Sequence, residues 1–321
     1  MNWIQKTSAY QIYEERGIKA LLSIAWAHTL VHTLAGRAAA AVIGQPIHEQ
    51  LVAFPSLGYW PKIKYPRSFN EKILYRKIFT DRDLFVTVSD KYQVRNYVEK
   101  QIDSDILTDL YYVTEDPETI PFEELPDQFV LKGTHGSSMN WIVQDKTAVD
   151  YESLIAESKQ WLEREYGANN LEYWYTDITP QIIVEEYIES SQGKAPRDYK
   201  FYVFNGQVEY IHVDHGRFSD HTRRFYDSDW NPQDFTRIYP LGPVIDEPSD
   251  FDRMIEVAET LGEPFEFMRV DLYNPEPGSI VFGEMTVAPG TGRGRFQPIN
   301  IDFEFGSHWE IEDSNPLHQS Q

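Results

Sequence analysis

The chain has 321 residues, 41% of them hydrophobic and 25% charged, so it can bury a sizeable core in one large domain or two smaller ones. Cysteine is absent, which excludes disulfides, thiolate metal sites and cysteine nucleophiles. The formal net charge of −22 argues against a nucleic-acid partner, because the phosphate backbone would be repelled.

The N-terminal residues predict helix, since Ala, Leu and Ile recur at three-to-four spacing up to Gly44. Residues 20–36 are uncharged but of mixed polarity, which makes them marginal for crossing about 30 Å of hydrocarbon. The acidic residues before this stretch, and the lack of a small-residue cleavage pattern after it, argue against a secretory signal. We expect residues 1–50 to form a packed helical region that contacts a membrane surface or another copy of the chain.

A capping box marks the start of the next predicted helix. The Ser68 side chain can accept from the backbone of Glu71, and the Glu71 side chain can reach back to the N-cap. Helices are therefore predicted over residues 68–77 and, after another serine cap, over residues 90–100.

Basic residues cluster in this helical region. Residues 62–100 hold 10 Lys/Arg against 5 Asp/Glu, in a chain that is acidic overall. A local basic surface suits an anionic small molecule or glycan, and Lys72, Arg76 and Lys77 are candidates to contact such an acceptor. A solvated helical face is the alternative interpretation.

Short β-rich runs follow Pro126. The pair Asn205-Gly206 is the strongest short hairpin signal, and it joins two of these runs. The pattern predicts an α+β fold with mostly antiparallel strands. Strands are predicted at 128–132, 141–144, 181–188, 199–204, 208–213, 267–273 and 280–285, with helices at 150–167 and 254–261.

Lys132 ends one predicted apolar strand, where a cation is costly unless an anion pairs with it. The small-residue turn that follows exposes backbone N–H groups and hydroxyls, and it allows the main chain to approach phosphates closely. The turn is neither a Walker motif nor a dinucleotide fingerprint. An ordinary hairpin with a surface lysine is the alternative.

Two further predicted strands each place an acid among apolar neighbours, Asp271 in one and Glu284 in the other. If these strands pair, the two carboxylates converge, and two carboxylates with nucleotide phosphates are a common way to hold Mg²⁺. The alternative is that they pair with arginines, since Arg269 is two residues from Asp271.

Basic side chains near these strands are candidates to bind phosphate or carboxylate. Lys200 alternates with apolar neighbours and shares a strand face with Asp198. Arg217 and the glycine-spaced Arg293 stand in predicted loops, where a guanidinium can bind an anion with two hydrogen bonds. For any one of these arginines, a plain surface position is the alternative.

The order of these motifs resembles the ATP-grasp superfamily, and 284–290 (EMTVAPG) is similar to the Glu-x-Asn-x-x-Pro-Gly that ends many of its ligases. The closer resemblance, from about residue 60 to 310, is to the TupA-like (teichuronopeptide biosynthesis) ATP-grasp family. Its features are found at 68–73 (SFNEKI), 90–91 (DK), 129–132 (FVLK), 135–136 (HG), 198–200 (DYK), 269–273 (RVDLY) and 282–286 (FGEMT).

This resemblance implies ATP and Mg²⁺ as cofactors and assigns residues to each. The implied ATP ligands are Lys91, Lys132, the loop residues Gly133, Thr134, His135, Gly136 and Ser137, the hinge residues Glu185, Glu186 and Ile188, and Lys200. The implied magnesium ligands are Asp271, Glu284 and Thr286, the last standing where asparagine is common. The implied catalytic residues are Lys200, Arg217, Arg269 and Arg293.

The implied fold is two α+β subdomains that clasp the nucleotide, preceded by a helical region. The implied activity is that of a carboxylate–amine ligase, either free in the cytoplasm or associated with the membrane there. It adds an amino acid or amine to a carboxylate of a cell-surface polysaccharide, a teichuronopeptide-like polymer or its precursor. Boundaries are predicted at 1–58 (helical), 59–126 (helical and irregular), 127–188 (phosphate loop), 189–312 (metal site) and 313–321 (disordered tail).

Three other interpretations stay open. A glycosyltransferase would use an Asp-x-Asp sequence, which occurs at 81–83, 103–105 and 227–229. A non-catalytic nucleotide-binding module is motivated by Thr286. A kinase is suggested by 282–284, although a His-Arg-Asp loop is missing.

Overall fold

The computed structural model describes residues 25–311, apart from 27–28, 32, 103, 190–195 and 217–219. The predicted helical segment 1–58 therefore lies partly outside the described residues, and the predicted tail 313–321 lies wholly outside them. Within the described part of the chain, every helix is too short or too polar to cross a membrane.

The described elements confirm the predicted α+β class with antiparallel sheets. The helices are α1 (Leu34–Ile43), α2 (Gln45–Leu57), α3 (Phe69–Phe79), α4 (Asp83–Ser89), α5 (Gln93–Gln101), α6 (Tyr151–Leu162), α7 (Phe251–Gly262) and α8 (Asn300–Ser307). The strands are β1 (Leu110–Thr114), β2 (Phe129–Gly133), β3 (Asn140–Val143), β4 (Ile182–Glu186), β5 (Asp198–Phe204), β6 (Gln207–His215), β7 (Thr222–Asp227), β8 (Pro232–Gln233), β9 (Thr236–Arg237), β10 (Phe267–Glu276), β11 (Ser279–Thr286) and β12 (Phe296–Gln297).

The smaller sheet has four antiparallel strands in the order β1-β4-β2-β3. Its strand β1 is not predicted from the sequence and lies inside the segment expected to be helical and irregular. One face packs Leu131 and Val184 against Leu154 and Trp161 of α6. Because side chains alternate along a strand, Lys132 lies on the opposite face.

The larger sheet has six antiparallel strands in the order β11-β10-β5-β6-β7-β8. Helix α7 covers one face, and its Gly262 lies so close to Val203 of β5 that an added Cβ would be 2.6 Å from that side chain. On the other face, Phe69 of α3 packs edge-on against Phe267 of β10 at 4.9 Å and lies 6.1 Å from Phe204 of β5. This apolar packing covers one end of the face and leaves the other end to polar side chains.

Helix α3 begins at the predicted capping box. The Ser68 hydroxyl accepts from Glu71 N at 3.1 Å, and the Glu71 carboxylate accepts from Ser68 N at 3.0 Å. The same buried carboxylate also accepts from the backbone of Lys62 at 2.7 Å and of Arg67 at 2.8 Å. Glu71 therefore fixes the loop before α3 as well as the helix start.

The expectation that Lys72, Arg76 and Lys77 contact an acceptor is wrong for Arg76 and Lys77, whose side chains are buried, and stays a prediction for the half-buried Lys72. Arg76 donates to the carbonyls of Phe267 at 2.9 Å and Val287 at 3.1 Å. The amine of Lys77 pairs with a buried glutamate of α2, and Lys72 donates to carbonyls at the end of α8. The basic residues of α3 therefore hold the helix against the rest of the protein.

We expect Glu71→Ala to lower the free energy of unfolding by about 3 kcal/mol, because three backbone N–H groups, one of them buried and two partly buried, lose a charged acceptor. Urea unfolding of the variant measures this loss. Glu99→Ala, at an exposed position of α5, is the matched control and should change stability little. Equal stability of the two variants would contradict the role of Glu71.

Candidate active site

A row of charged side chains crosses the polar end of the larger sheet. In the strand register, Lys200 of β5 lies opposite Asp271 of β10, and Asp271 lies opposite Glu284 of β11. The amine of Lys200 contacts the carboxylate of Asp271 directly and that of Asp198 at 2.6 Å. Lys200 and Asp271 are buried, whereas the Glu284 side chain is 47% exposed.

Arg269 links the two predicted metal ligands. Its guanidinium binds both oxygens of Asp271, each at 2.7 Å, and reaches Glu284 at 2.9 Å. Thr286 lies opposite Arg269 in the register, and its hydroxyl is 3.4 Å from Glu284. The arginine pairing that the sequence left as an alternative is therefore present alongside the convergence of the two carboxylates.

Burial and the nearby cations together shift the pKa values of the two carboxylates in opposite directions. Burial favours the neutral form of Glu284, but Lys200, Arg269 and Lys91 outweigh it and lower the pKa of Glu284 to about 2. Burial raises the pKa of Asp271 against the attraction of Arg269 and Lys200. Glu284 is thus the half-exposed, permanently ionised carboxylate of the pair.

The donor set fits magnesium that is shared with phosphate. Asp271, Glu284 and Thr286 offer oxygen atoms, which Mg²⁺ prefers, and Glu284 is open on one side. Across residues 25–311 as described, His, Asp and Glu side chains form no cluster of three or more that could hold a metal by itself. These residues therefore suit an ion whose remaining ligands are phosphate oxygens and water.

The facing surface of the smaller sheet carries Lys132 and Glu185. The Lys132 amine lies 2.6 Å from the Glu185 carboxylate, which Arg95 of α5 also contacts at 3.0 Å. Lys132 is thus paired on the sheet surface and is not a plain surface lysine. Two cations engage Glu185, whereas the exposed Glu186 lies on the other side of the strand and accepts from Asp109 N at 3.3 Å. The predicted contact of either glutamate with ATP stays a prediction.

A cavity of about 620 Å³ separates the end of β4 from β11, a volume typical of small-molecule sites. The predicted hinge residues Glu186 and Ile188 line it, together with Val281 of β11. A register shift at Gly283 keeps Val281 on the sheet face that carries Glu284, although the two are three residues apart. The cavity and the carboxylates therefore lie along the same strand face.

Lys91, just before α5, lies between the two sheets. Its backbone N–H donates to Thr134 at 3.1 Å, and its amine contacts the carbonyl of Gly136 in the predicted phosphate loop. Burial lowers the pKa of Lys91 to about 8, with Glu284 of the larger sheet opposing this shift and Lys132 of the smaller sheet adding to it. Lys91 therefore interacts electrostatically with charged side chains of both sheets.

Tyr166, which follows α6, is a site residue that the sequence does not reveal. Its hydroxyl lies 2.6 Å from that of Ser137, and its ring packs so tightly on Gly136 that an added Cβ would be 2.5 Å away. Tyr175 meets the Tyr166 ring edge-on at 4.9 Å. Burial raises the pKa of both tyrosines, and the charge of Glu284 adds to it. These rings therefore support the predicted phosphate loop from one side.

Of the remaining predicted arginines, Arg293 is not part of this row. Arg217 lies outside the described residues. One guanidinium nitrogen of Arg293 donates to both oxygens of Glu49 in α2, at 2.8 and 2.9 Å, and the other terminal nitrogen donates to Asn170 Oδ1 at 3.3 Å. These contacts give Arg293 a structural role, and its predicted contact with an acyl phosphate stays a prediction.

The Asp-x-Asp sequences do not form a second site among the described residues. Asp227 closes a turn by accepting from the backbone of Asp229 at 3.0 Å and of Asn231 at 2.8 Å. Asp83 opens the short helix α4, and Asp103 lies outside the described residues.

A family model described as TupA-like ATPgrasp matches residues 71–310. No curated protein matches the chain. Matching solved structures include a D-alanine–D-alanine ligase from Bacillus anthracis complexed with ATP, at 16% identity over 63% of this chain and 54% of that chain, with a TM-score of 0.37. An N5-carboxyaminoimidazole synthase from Aspergillus clavatus in complex with ADP matches at 12% identity over 68% and 46%, with a TM-score of 0.38. D-cycloserine synthetase matches at 11% identity over 70% of each chain, with a TM-score of 0.40. The chain spans about half the length of the first of these structures.

We expect Lys200→Met to lower the free energy of unfolding by about 3 kcal/mol at neutral pH, because Asp198 and Asp271 lose a buried cation. Burial already raises the pKa of Asp271 in the folded protein, and loss of the Lys200 cation raises it further. The folded variant then binds more protons, so the loss should shrink as the pH falls towards roughly 5.

Urea unfolding at a series of pH values measures this trend. Lys100→Met, at an exposed position of α5, is the control and should show neither effect. A loss of stability that is independent of pH would contradict the assigned pairing.

Proposed function

Because the chain belongs to the TupA-like ATP-grasp family, we propose that it is an ATP- and Mg²⁺-dependent carboxylate–amine ligase. The observation that carries this proposal is the row of Lys200, Asp271 and Glu284 on one sheet, facing Lys91 and Lys132 across the cleft. Cations on both walls, with a buried and a half-exposed carboxylate on one of them, match the charge of a magnesium-bound triphosphate.

In this proposal the adenine occupies the cavity between Ile188 and Val281, with Glu186 facing its amino group. The triphosphate extends from there along β11 towards Glu284. Lys91 and Lys132 supply cations to it, and the loop 133–138 supplies backbone N–H groups. Binding would move the Lys91 amine from the Gly136 carbonyl to a phosphate oxygen, which requires little movement of the chain.

Magnesium held by Asp271 and Glu284, with the Thr286 hydroxyl or a water, would neutralise charge on the transferred phosphoryl group. Arg269 fixes the orientation of both carboxylates through its three hydrogen bonds. Lys200 keeps Asp271 ionised despite its burial. These residues therefore fix the position and the ionisation of the two carboxylates before any substrate binds.

The proposed reaction has two steps. A carboxylate oxygen of the acceptor attacks the γ-phosphorus of ATP, and the bond from this phosphorus to the β,γ-bridging oxygen breaks. ADP departs, and the acceptor becomes an acyl phosphate. An amine nitrogen then attacks the acyl carbon, phosphate leaves, and the nitrogen loses a proton to give the amide. Lys200 and Arg269 would stabilise the negative charge that passes between these oxygen atoms.

We propose that the acceptor is a uronic-acid or amino-acid carboxylate of a cell-surface polymer or its precursor, and that an amino acid or amine is the donor. The family resemblance supports this substrate class. We also propose that the reaction takes place in the cytoplasm, where ATP is available.

The first test is turnover with Mg-ATP, pooled amino acids and uronic-acid acceptors, measured as ADP and phosphate release. We expect acceptor-dependent release that falls by about a thousandfold or more in Glu284→Gln, because the variant loses a charge that acts on the phosphoryl group. Glu256→Gln, on the exposed face of α7, is the matched control and should keep full activity. Activity of Glu284→Gln equal to wild type, or UDP release from UDP-sugars, would contradict the proposal.

The second test concerns Tyr166. We expect Tyr166→Phe to raise the KM for Mg-ATP about tenfold with a smaller change in kcat, because the loop loses its hydrogen bond to Ser137 while the ring stays in place. Tyr151→Phe is the control, since its hydroxyl also makes one hydrogen bond in this subdomain, to the Lys146 carbonyl at 2.9 Å. An unchanged KM for Mg-ATP would remove Tyr166 from the site.

A further inference from the structure

A group of exposed apolar side chains lies outside the cleft, on the N-terminal side of α3. Ten large hydrophobic side chains are exposed among the described residues, and six of them lie between residues 26 and 65. Phe54 is 45% exposed, Trp60 48% and Tyr65 62%. Single exposed apolar side chains are normal, but a cluster of aromatic rings at one place indicates an interaction surface.

Three of these exposed apolar residues, Ile47, Phe54 and Trp60, lie along one line of the surface. Ile47 and Phe54 are two turns apart on α2, so they lie on one stripe of the helix. The Phe54 ring contacts the Trp60 ring at 5.7 Å between centroids, and Gln50 of the same stripe donates to the Pro61 carbonyl at 2.7 Å. The stripe of α2 therefore continues into the loop before α3.

Three exposed basic side chains, Lys62, Lys64 and Arg67, border these rings. Within the part of the chain that the structure describes, none of the three pairs with a carboxylate, unlike the buried Lys77 and Arg76 of α3. Residues 60–67 (WPKIKYPR) contain no acidic residue, in a chain whose net charge is −22. This loop is therefore locally cationic on an acidic protein.

The loop is built to present these side chains outward. Buried Pro61 and Ile63 alternate with exposed Trp60, Lys62 and Lys64. The buried Glu71 carboxylate holds the backbone of the loop at two points, as described above. A surface that is already ordered loses less entropy when it binds a partner.

Tyr59, at the start of the loop, is anchored by hydrogen bonds to the buried residues Ser68 and Asp302. The Tyr59 hydroxyl donates to Asp302 at 2.7 Å and lies 2.6 Å from that of Ser68. The start of the loop is thereby tied to α8 as well as to the N-cap of α3. Its outer side chains thus rest on a fixed backbone.

We propose that this aromatic–basic surface, formed by Phe54, Trp60, Lys62, Lys64, Tyr65 and Arg67, binds the surface of an anionic lipid bilayer. Tryptophan and tyrosine favour the boundary between headgroups and acyl chains, because their rings are both apolar and polar. Lysine and arginine beside them are attracted to anionic headgroups, each contributing about 1 kcal/mol, or about fivefold in affinity. The local positive charge would also orient an acidic protein that such a membrane otherwise repels.

The test is co-sedimentation of the full chain with vesicles of equal parts phosphatidylcholine and phosphatidylglycerol, and with vesicles of phosphatidylcholine alone. We expect binding to the anionic vesicles that weakens with salt. The triple variant Lys62→Glu, Lys64→Glu, Arg67→Glu should bind at least about 100-fold more weakly, because three fivefold contributions are lost. Trp60→Ser should also weaken binding, but without removing its dependence on salt.

The matched control is Lys100→Glu, Lys159→Glu, Arg253→Glu, which makes the same charge change at exposed positions elsewhere. It should bind the anionic vesicles about as wild type does. Unchanged thermal unfolding and unchanged Mg-ATP affinity in the Lys62, Lys64 and Arg67 variant would show that the fold and the cleft are intact, so this result is separate from the proposed ligase activity.

Three outcomes would overturn the proposal. The first is no binding of the wild type to anionic vesicles. The second is equal loss in both triple variants. The third is that the Lys62, Lys64 and Arg67 substitutions abolish self-association, or binding of soluble polygalacturonate, while vesicle binding persists; this would assign the surface to a second copy or to an anionic glycan.

Discussion

The pairing of β10 with β5 on one side and with β11 on the other is the constraint on which the site depends. It sets Asp271 between Lys200 and Glu284, so one carboxylate is neutralised by a buried lysine while the other stays partly open. Arg269, two residues along β10, then joins both acids. A shift of one residue in either pairing would send these side chains to opposite faces and leave buried charges without partners. The chemistry of the cleft is thus encoded in strand register as much as in residue type.

The same sheet face explains how a polar site is tolerated beside a large core. Along β5, Phe204 and Tyr202 lie under Phe69, while Lys200 lies beyond the cover that α3 provides. The buried Arg76 holds α3 to this face through carbonyls of β10 and of the segment after β11. Helix α3 therefore decides where the apolar cover ends and where the charged row begins.

Much of this arrangement is visible in the sequence, because it depends on local patterns. Acids and lysines inside apolar strands are costly without partners, which identified Lys132, Lys200, Asp271 and Glu284. The capping box was equally local. The ion-pair partners of these residues could not be predicted from local patterns. Nothing near Glu185 in the sequence indicates that Arg95, ninety residues away, engages its carboxylate. For the same reason Tyr166, which touches the loop only through the tertiary fold, carries no sequence signal.

The burial of the basic residues of α3 has a consequence for the whole surface. The ten basic residues of the segment 62–100 suggest one basic surface in the sequence. In the structure their side chains point in different directions, so they do not form one surface. Arg76 and Lys77 are neutralised inside the fold, and Lys91 faces the cleft. The cations left facing solvent are concentrated before the N-cap of α3, where Glu71 fixes the loop. One helix thus closes the core, positions the cleft and, at its N-terminal end, presents the local positive charge of an otherwise acidic protein.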